Sequence, residues 1–427
     1  MTHPRHILFF TFFVFTVAIQ LPLSNRYYFH DHSIGVKRIM ADISDRTKLF
    51  SESVIRHMTR IANASGAINL SQGFPDFDPP KRLTDTLQRI AAEGPHQYAV
   101  TWGAPRFREA LAVKQRKFMR IPIDPETNIT VTCGSTEAMM AAIMAVTNPG
   151  DKIIIFSPFY ENYAADAILS GAQPIHVTLK PPAFTFDLNE LRKAFEMHPK
   201  ALVLCNPGNP TGKVFSKEEL LTIASLADEF DTFVITDEVY EHIVYEPHEH
   251  HYFAALPGMF ERTISCSSLS KTYSITGWRL GYIIAPSQVI DATRKVHDFL
   301  TVGAAAPLQE AAVTALGFPE SYYTELRQQY AARRILFLNL LDDAGLSFIT
   351  PSGAYYVMVD ITEFGIDNDT EFCEWCAREV GVAAVPGSSF FHEPEHRYIR
   401  FHFAKREETL LEAGRRLKLI RKMLAKR

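Results

Sequence analysis

One lysine in this chain stands where an amine can be made nucleophilic. In Ser268-Leu269-Ser270-Lys271-Thr272-Tyr273-Ser274-Ile275-Thr276-Gly277-Trp278-Arg279, Lys271 lies among small hydroxyl side chains, and Arg279 follows eight positions later. An amine that is partly desolvated and close to other cations loses its proton near neutral pH and can form a Schiff base with a carbonyl carbon. Ser268, Ser270 and Thr272, with the Arg279 guanidinium, make a donor set suited to a multiply charged phosphate. The plain alternative is a solvated lysine on a surface loop, and the segments upstream argue against it.

Residues 232–236 read as a short buried strand that ends on Asp237. In open α/β sheets, ligands sit just beyond the carboxyl ends of strands. Asp237 is therefore placed to face a pyridinium nitrogen and keep it protonated and electron-withdrawing; the alternative is a helix N-cap. Tyr240, three residues on, is within reach of a phenolic oxygen on the same ring. A second strand, 201–205, leads into Asn206-Pro207-Gly208-Asn209-Pro210-Thr211-Gly212, whose prolines and glycines enforce a rigid turn. Such a turn aims the Asn209 amide at that oxygen. Schiff-base lysine, ring-nitrogen acid and phosphate donors together suggest pyridoxal 5'-phosphate as cofactor.

Asn209-Pro210-Thr211-Gly212, Asp237-Glu238-Val239-Tyr240 and Ser268-x-Ser-Lys271 with Gly277-Trp278-Arg279 resemble, in order and spacing, the motifs of class I aminotransferases, the fold-type I pyridoxal phosphate enzymes. The likeness runs from about Asp42 to the C-terminus and looks closest to the branch that uses methionine and kynurenine. It implies an α/β fold, with a mostly parallel seven-stranded sheet in a large domain and a smaller α+β domain. The bounds expected are 1–39 for an extension outside the family, 40–80 for an N-terminal arm, 81–315 for the large cofactor domain and 316–427 for the small one. By the same resemblance, Lys271 carries the cofactor and then moves the substrate's α-proton. Asp237 pairs with the ring nitrogen, Asn209 and Tyr240 bond the ring oxygen, and Ser268 and Arg279 hold the phosphate.

Further site residues are implied in the same way. Gly134-Ser135-Thr136 lies between a strand and an alanine-rich helix, so its N–H groups open onto an anion at a helix N-terminus. Cys133 precedes Gly134 where many members of the family carry a second glycine. In Ser157-Pro158-Phe159-Tyr160, Tyr160 is expected to stack on the cofactor ring, with Phe159 its rival and core packing the bland reading of either. Arg400 supplies a guanidinium fork for the substrate carboxylate, and Gly73 a backbone N–H to the same group; Arg397 is read as a surface charge. Asn209 also serves the substrate. Tyr98 corresponds to a tyrosine that crosses to the phosphate of a neighbouring subunit, which implies a homodimer with shared active sites.

The elements that must position these residues follow from pattern. Strand-like runs at 129–133, 152–156, 174–179, 201–205, 232–236, 262–267 and 278–285 alternate with helical patterns at 135–146, 160–170, 187–194 and 217–230. That alternation predicts a mostly parallel sheet covered on both faces. A helical stretch over 287–315, broken near Gly303 and Pro307, leads toward strands around 345–357 in the second domain.

Composition bounds the remainder. The 427 residues exceed one ordinary core, and 47% hydrophobic with 22% charged residues describe a globular protein. The net charge of −4, from 44 basic and 48 acidic side chains, gives no basis for nucleic-acid binding. The five cysteines suit a reducing compartment and a cytoplasmic location. Cys373-x-x-Cys376 has no second pair to complete a zinc site, and His248, His250 and His251 lack a carboxylate at convincing spacing, so no metal is expected. The basic stretch 415–427 repeats Leu417, Ile420 and Leu424 at helical spacing and reads as a solvated helix face. The uncharged run 7–23, with five phenylalanines, admits three readings: an export signal, a membrane anchor, or a start assigned ahead of Met40. For function, transamination of an apolar, sulfur-containing or aromatic L-amino acid leads. A C–S β-lyase, an aspartate-type aminotransferase and a ligand-sensing regulator on this fold are the alternatives. No second arginine stands out for a distal carboxylate, and Phe74, Tyr160, Phe390 and Phe391 suit an apolar side chain.

Overall fold

The computed structural model describes residues 42–425, and from Lys48 onward the chain forms one compact unit. The apolar run 7–23 and the rest of the 1–39 extension lie outside the described residues. Helix α1 (Val54–Ser65) starts on the Ser53 side chain, which accepts from the Arg56 N–H, and stops at Gly66 with φ 64°. Strand β1 (Ile68–Asn69) and helices α2 (Lys81–Glu93) and α3 (Pro105–Met119) lead into the main sheet.

That sheet alternates with helices: β2 (Ile129–Thr132), α4 (Ser135–Val146), β3 (Lys152–Ser157), α5 (Asn162–Leu169), β4 (Gln173–Lys180), β5 (Thr185–Phe186), α6 (Leu188–Glu196), β6 (Ala201–Cys205), α7 (Lys217–Glu229), β7 (Phe233–Asp237), β8 (Thr263–Ser268) and β9 (Gly281–Ile284). Its order is β2-β9-β8-β7-β6-β3-β4-β5. Neighbours from β4 to β8 pair in parallel, and β9 runs antiparallel to both β8 and β2. The seven expected strands are all present. The eighth, β5, is a two-residue return antiparallel to β4, too short to show a period-two pattern.

Alternate side chains of one strand enter different cores. Ile154 and Phe156 pack with Leu191 of α6 and Leu220 of α7, whereas Ile153 and Ile155 pack with Ile143 of α4, Ala167 of α5 and Ile290. Burial on both faces explains the unbroken apolar runs of β6 and β7. The carboxyl ends of β6, β7 and β8 carry Cys205, Asp237 and Ser268.

Helices α8 (Ser287–Thr301) and α9 (Ala306–Leu316) are separated at the expected break, where Val302 takes φ 68°, and α10 (Glu320–Asp343) follows. Then come β10 (Ser347–Ile349), β11 (Tyr356–Asp360), α11 (Asp369–Trp375), β12 (Val382–Ala383), β13 (Val385–Pro386), β14 (Tyr398–His402), α12 (Glu407–Leu417) and α13 (Ile420–Leu424). An antiparallel sheet, β10-β11-β14-β13, sets Arg400 opposite Met358 and Val385. The arm joins this part of the molecule: β1 pairs with β12, and Met58 and Ile61 of α1 share a core with Phe337, Val357, Phe401 and Leu410. Leu417 and Ile420 are buried, Leu424 is half-buried, and Arg415 and Arg416 pair with Glu412 on their own helix.

Gly281 shows how tightly the sheet fixes the site. A Cβ there would lie 2.3 Å from the backbone carbon of Gly134, so β9 lies directly against the turn that opens α4. Neither backbone can yield cheaply. Gly281→Ala is expected to lower stability by about 1–3 kcal/mol, the usual range for overpacking, read as an earlier midpoint in urea unfolding; an unchanged midpoint would contradict the contact.

Candidate active site

A cavity of about 830 Å³ opens where these strand ends meet residues of the smaller sheet. Asp237, Ser268 and Lys271 line it from the large sheet, and Tyr356 and Arg400 from β11 and β14. Asp237 is buried at the end of β7, where its Oδ2 accepts from the Tyr163 hydroxyl at 2.7 Å and its Oδ1 from the Val239 N–H at 3.3 Å. Burial raises its pKa, and the Tyr163 bond, the Val239 N–H and Lys271 oppose that rise. Lys271 follows β8, and its Nζ donates to the Gly73 carbonyl at 3.1 Å. Burial brings its pKa down to about 8; Asp237 works against the fall, and Arg279 and Arg400 add to it. A fraction of this amine is therefore neutral near physiological pH, as a nucleophile and proton acceptor requires.

At one end of the cavity Gly134, with φ 87°, precedes α4 and offers no side-chain cap to its first N–H groups. A Cβ at this position would sit 2.3 Å from Nη2 of Arg279, so only glycine leaves room for the guanidinium over the turn. Arg279 itself has φ 53° and is exposed toward the cavity, with Ser135, Thr136 and Ser268 lining the same end. These donors converge on one end of the cavity, an arrangement that fits a phosphate. An acid is buried on the floor and a depressed-pKa lysine stands beside it. The residues present thus fit pyridoxal 5'-phosphate.

Arg400 is fully buried. Its Nη1 donates to Asn209 Oδ1 at 2.6 Å and its Nη2 to the Ser71 carbonyl at 2.7 Å, while Nε has no partner. The guanidinium lies 4.3 Å from the ring centroid of Tyr356 and 4.7 Å from that of Phe390. It is thus oriented by neutral groups and keeps its charge for an incoming anion. Tyr240 meets the Tyr356 hydroxyl at 2.8 Å.

The structure separates two rivals: Tyr160 lines the cavity, whereas Phe159 stacks on His176 at 5.1 Å. Gly73 and Asn209 line it too. Tyr98 is 87% exposed and is not among the lining residues. Of the aromatics expected near the pocket, Phe74 lines it; Phe390 instead packs under Arg400, and Phe391 stacks on Tyr398. Sequence reading missed Tyr163, Asp166, Glu137, Tyr356 and Arg56, all of which line the cavity. Asp166, one helical turn after Tyr163, has its pKa raised to about 7 by burial and by Asp237. The three-residue spacing of Tyr163 and Asp166 on α5 was the available signal.

A mostly parallel sheet with a lysine, an acid and one arginine at its carboxyl edge, faced by a second arginine on β14 of the smaller sheet, defines a cofactor-dependent enzyme acting on carboxylated amines. The chain matches the family described as "Aminotransferase class I and II" over residues 65–417 and belongs to it. It is 38% identical to a methionine aminotransferase of Escherichia coli, covering 86% of this chain and 95% of that one. A kynurenine–oxoglutarate transaminase of Dictyostelium discoideum is 35% identical, covering 91% and 99% respectively. The solved N-succinyldiaminopimelate aminotransferase of Mycobacterium tuberculosis superposes with a TM-score of 0.85 at 36% identity, covering 89% of this chain and 100% of that one. The protein is a pyridoxal phosphate-dependent aminotransferase that exchanges an amino group between an amino acid and a 2-oxo acid.

Because the Tyr163 bond holds the Asp237 pKa down, its removal raises that pKa further. Tyr163→Phe should move the acid limb of the pH–rate profile for the amino-acid half-reaction to higher pH by about one unit, the scale of a hydrogen bond to a charged group. A limb that stays in place would show that the phenol does not act on the carboxylate.

Proposed function

We propose that this enzyme transaminates an apolar, sulfur-containing or aromatic L-amino acid, with Lys271 as the proton-transferring base and Arg400 as the carboxylate anchor. The observation that carries the reading is the buried Arg400 fork, with an unpartnered Nε, in the same cavity as a lysine of pKa about 8. The cofactor, when bound, supplies the electron sink that makes the substrate's α-proton acidic. Asp237, whose charged form is favoured by the Tyr163 hydroxyl and the Val239 N–H, would face the ring nitrogen. Asn209 serves two ends at once, since its Oδ1 fixes Arg400 and its amide nitrogen stays free for a ring oxygen. Tyr240, held by Tyr356, would bond that same oxygen. Lys271 Nζ would take the proton from the α-carbon and hold it for delivery on the far side of the transferring nitrogen, which needs an amine close to neutrality.

The side-chain preference rests on Ile55, Phe74 and Tyr160, which line the cavity, and on likeness to proteins named for methionine and kynurenine. Arg56 on the rim favours a second reading, an acidic side chain as in the aspartate aminotransferase of Pyrococcus abyssi, 37% identical. We further read 81–315 as the cofactor domain, with 40–80 and 316–427 as the smaller one. Tyr98 and Phe299, 87% and 92% exposed, support a homodimer in which Tyr98 reaches the partner's phosphate site. The five free cysteines support a reducing, cytoplasmic setting. Among the described residues, no helix is long and apolar enough to cross a membrane.

Amino acid alone should yield one equivalent of 2-oxo acid per site without free ammonia; ammonia with pyruvate would mark the lyase. Lys271→Ala should abolish turnover and the borohydride-reducible link to the cofactor. Arg400→Ala should raise KM for amino and oxo acids about a hundredfold, within the 2–5 kcal/mol range for losing one side of a buried charge pair, with cofactor retained. An unchanged KM would refute the anchor. In an amino-donor panel, acidic donors that lead and then collapse in Arg56→Ala would overturn the apolar preference.

A further inference from the structure

Behind the phosphate end lies a buried ion pair that the chemistry above does not use. His297, on α8, has no solvent exposure. Its Nδ1 is 2.6 Å from Glu137 Oε1 and its Nε2 is 2.8 Å from the Thr101 carbonyl oxygen. A neutral imidazole has one N–H, yet both ring nitrogens here face oxygens, so the proton between Nδ1 and Oε1 belongs either to the ring or to the carboxyl. The Glu137 pKa is lowered and the His297 pKa raised, which favours the ring. Glu137 is met by donors on both oxygens: Oε2 accepts from the Cys133 N–H and Oε1 also from the Thr301 hydroxyl at 2.8 Å. An ionised carboxylate beside an imidazolium satisfies every contact.

We propose that His297 is a positioning residue for the cofactor phosphate: its imidazolium neutralises Glu137 and ties the phosphate turn to the segment that bears Tyr98. Glu137 lines the cavity in the first turn of α4, two residues from Ser135, where an unbalanced carboxylate would repel a phosphate dianion. Its other oxygen holds the Cys133 N–H and so sets the entry to Gly134. The Thr101 carbonyl is held by the ring and backed by Gly303, whose Cβ would meet it at 3.3 Å. Three separate segments therefore meet at one imidazolium.

The charged groups that bear on the ring are Glu137 from α4 and Asp298 on its own helix; β2 contributes neutral Thr130, bonded to Thr293, and the turn after β2 contributes Cys133, whose thiol pKa is raised by burial. Burial favours the neutral ring, but the Glu137 hydrogen bond and charge outweigh it and raise the pKa. The cationic form thus persists to higher pH than in a free imidazole and is lost as pH rises through that raised value.

This inference rests on the pyridoxal phosphate reading, and the test separates the two. Holoenzyme is stripped, and wild type, His297→Gln and Glu137→Gln/His297→Gln are titrated with pyridoxal 5'-phosphate and with pyridoxal, which lacks the phosphate. His297→Gln should weaken pyridoxal phosphate binding about tenfold, since an unpaired buried carboxylate remains, and pyridoxal binding less than twofold. The double variant should recover most of that loss. Wild type should lose its preference for the phosphorylated form as pH climbs, and His297→Gln should lack this step. Equal weakening for both vitamers, no weakening, or a double variant no better than the single one overturns the proposal. Should His297→Gln not fold, Glu137→Gln must abolish or shrink the wild-type step, and an unchanged step overturns the proposal. Wild type that binds neither vitamer would sink the cofactor reading instead.

Discussion

Lys271 and Asp237 are opposite charges withdrawn from water into one cavity, and burial pushes them in opposite directions. It lowers the amine to a pKa of about 8 and raises the carboxyl. Left to burial alone both groups would drift toward neutrality, which suits a nucleophilic lysine but would disable an acid that must stay charged. The structure breaks the symmetry with hydrogen bonds. Asp237 receives the Tyr163 hydroxyl and the Val239 N–H, both of which favour its charged form, whereas Lys271 finds only the Gly73 carbonyl and sits near two arginines. Environments that push two titratable groups toward different charge states assign them different work.

The arginines divide the cavity by the same logic. Arg279 is exposed, with its backbone in the left-handed region over the Gly134 turn. Arg400 is buried on β14, and the other sheet supplies its lower boundary through Asn209. A buried guanidinium usually acquires a carboxylate. Here the surroundings are an amide oxygen, a carbonyl and the faces of Tyr356 and Phe390. Cation–π contact tolerates the charge without cancelling it, so the affinity for an anion survives until substrate arrives. On the proposed reading, phosphate at one arginine and carboxylate at the other would leave the reacting amine beside Lys271.

Much of this was legible in the chain because it is local. The Asn209, Asp237 and Lys271 motifs each sit on a strand end, and strand ends follow from apolar runs bounded by turn residues; all seven such strands of the main sheet formed. What escaped is non-local. Tyr356 becomes a site residue only because β11 pairs with β14 and brings it beside both Tyr240 and Arg400. Arg56 arrives on a helix of the arm, and Glu137 matters through His297, 160 positions away. Strand β5 was unreadable for a different reason, since two residues carry no periodicity. Phe390 and Phe391 have the composition of a pocket wall, but chain direction turns them toward Arg400 and Tyr398.

The segment after Asp237 shows why polar burial recurs around this site. Glu241, one residue beyond Tyr240, is buried with Lys114 of α3 at 2.9 Å and also receives Gln115 at 3.1 Å and the Tyr252 hydroxyl at 2.7 Å. Burial would raise the Glu241 pKa, yet Lys114 and His242 hold it well below the usual range. An apolar cluster of equal volume would serve stability as well or better, because desolvating two charges offsets most of their attraction. It would not fix direction. A carboxylate that receives Lys114 and Gln115 from α3 and Tyr252 from a separate segment accepts one placement of its backbone, and that backbone carries Tyr240 on one side and Asp237 four residues before. Charge networks beneath the cavity thus restrict where the reacting groups can stand, and the apolar cores of the two sheets supply the stability that makes such restriction tolerable.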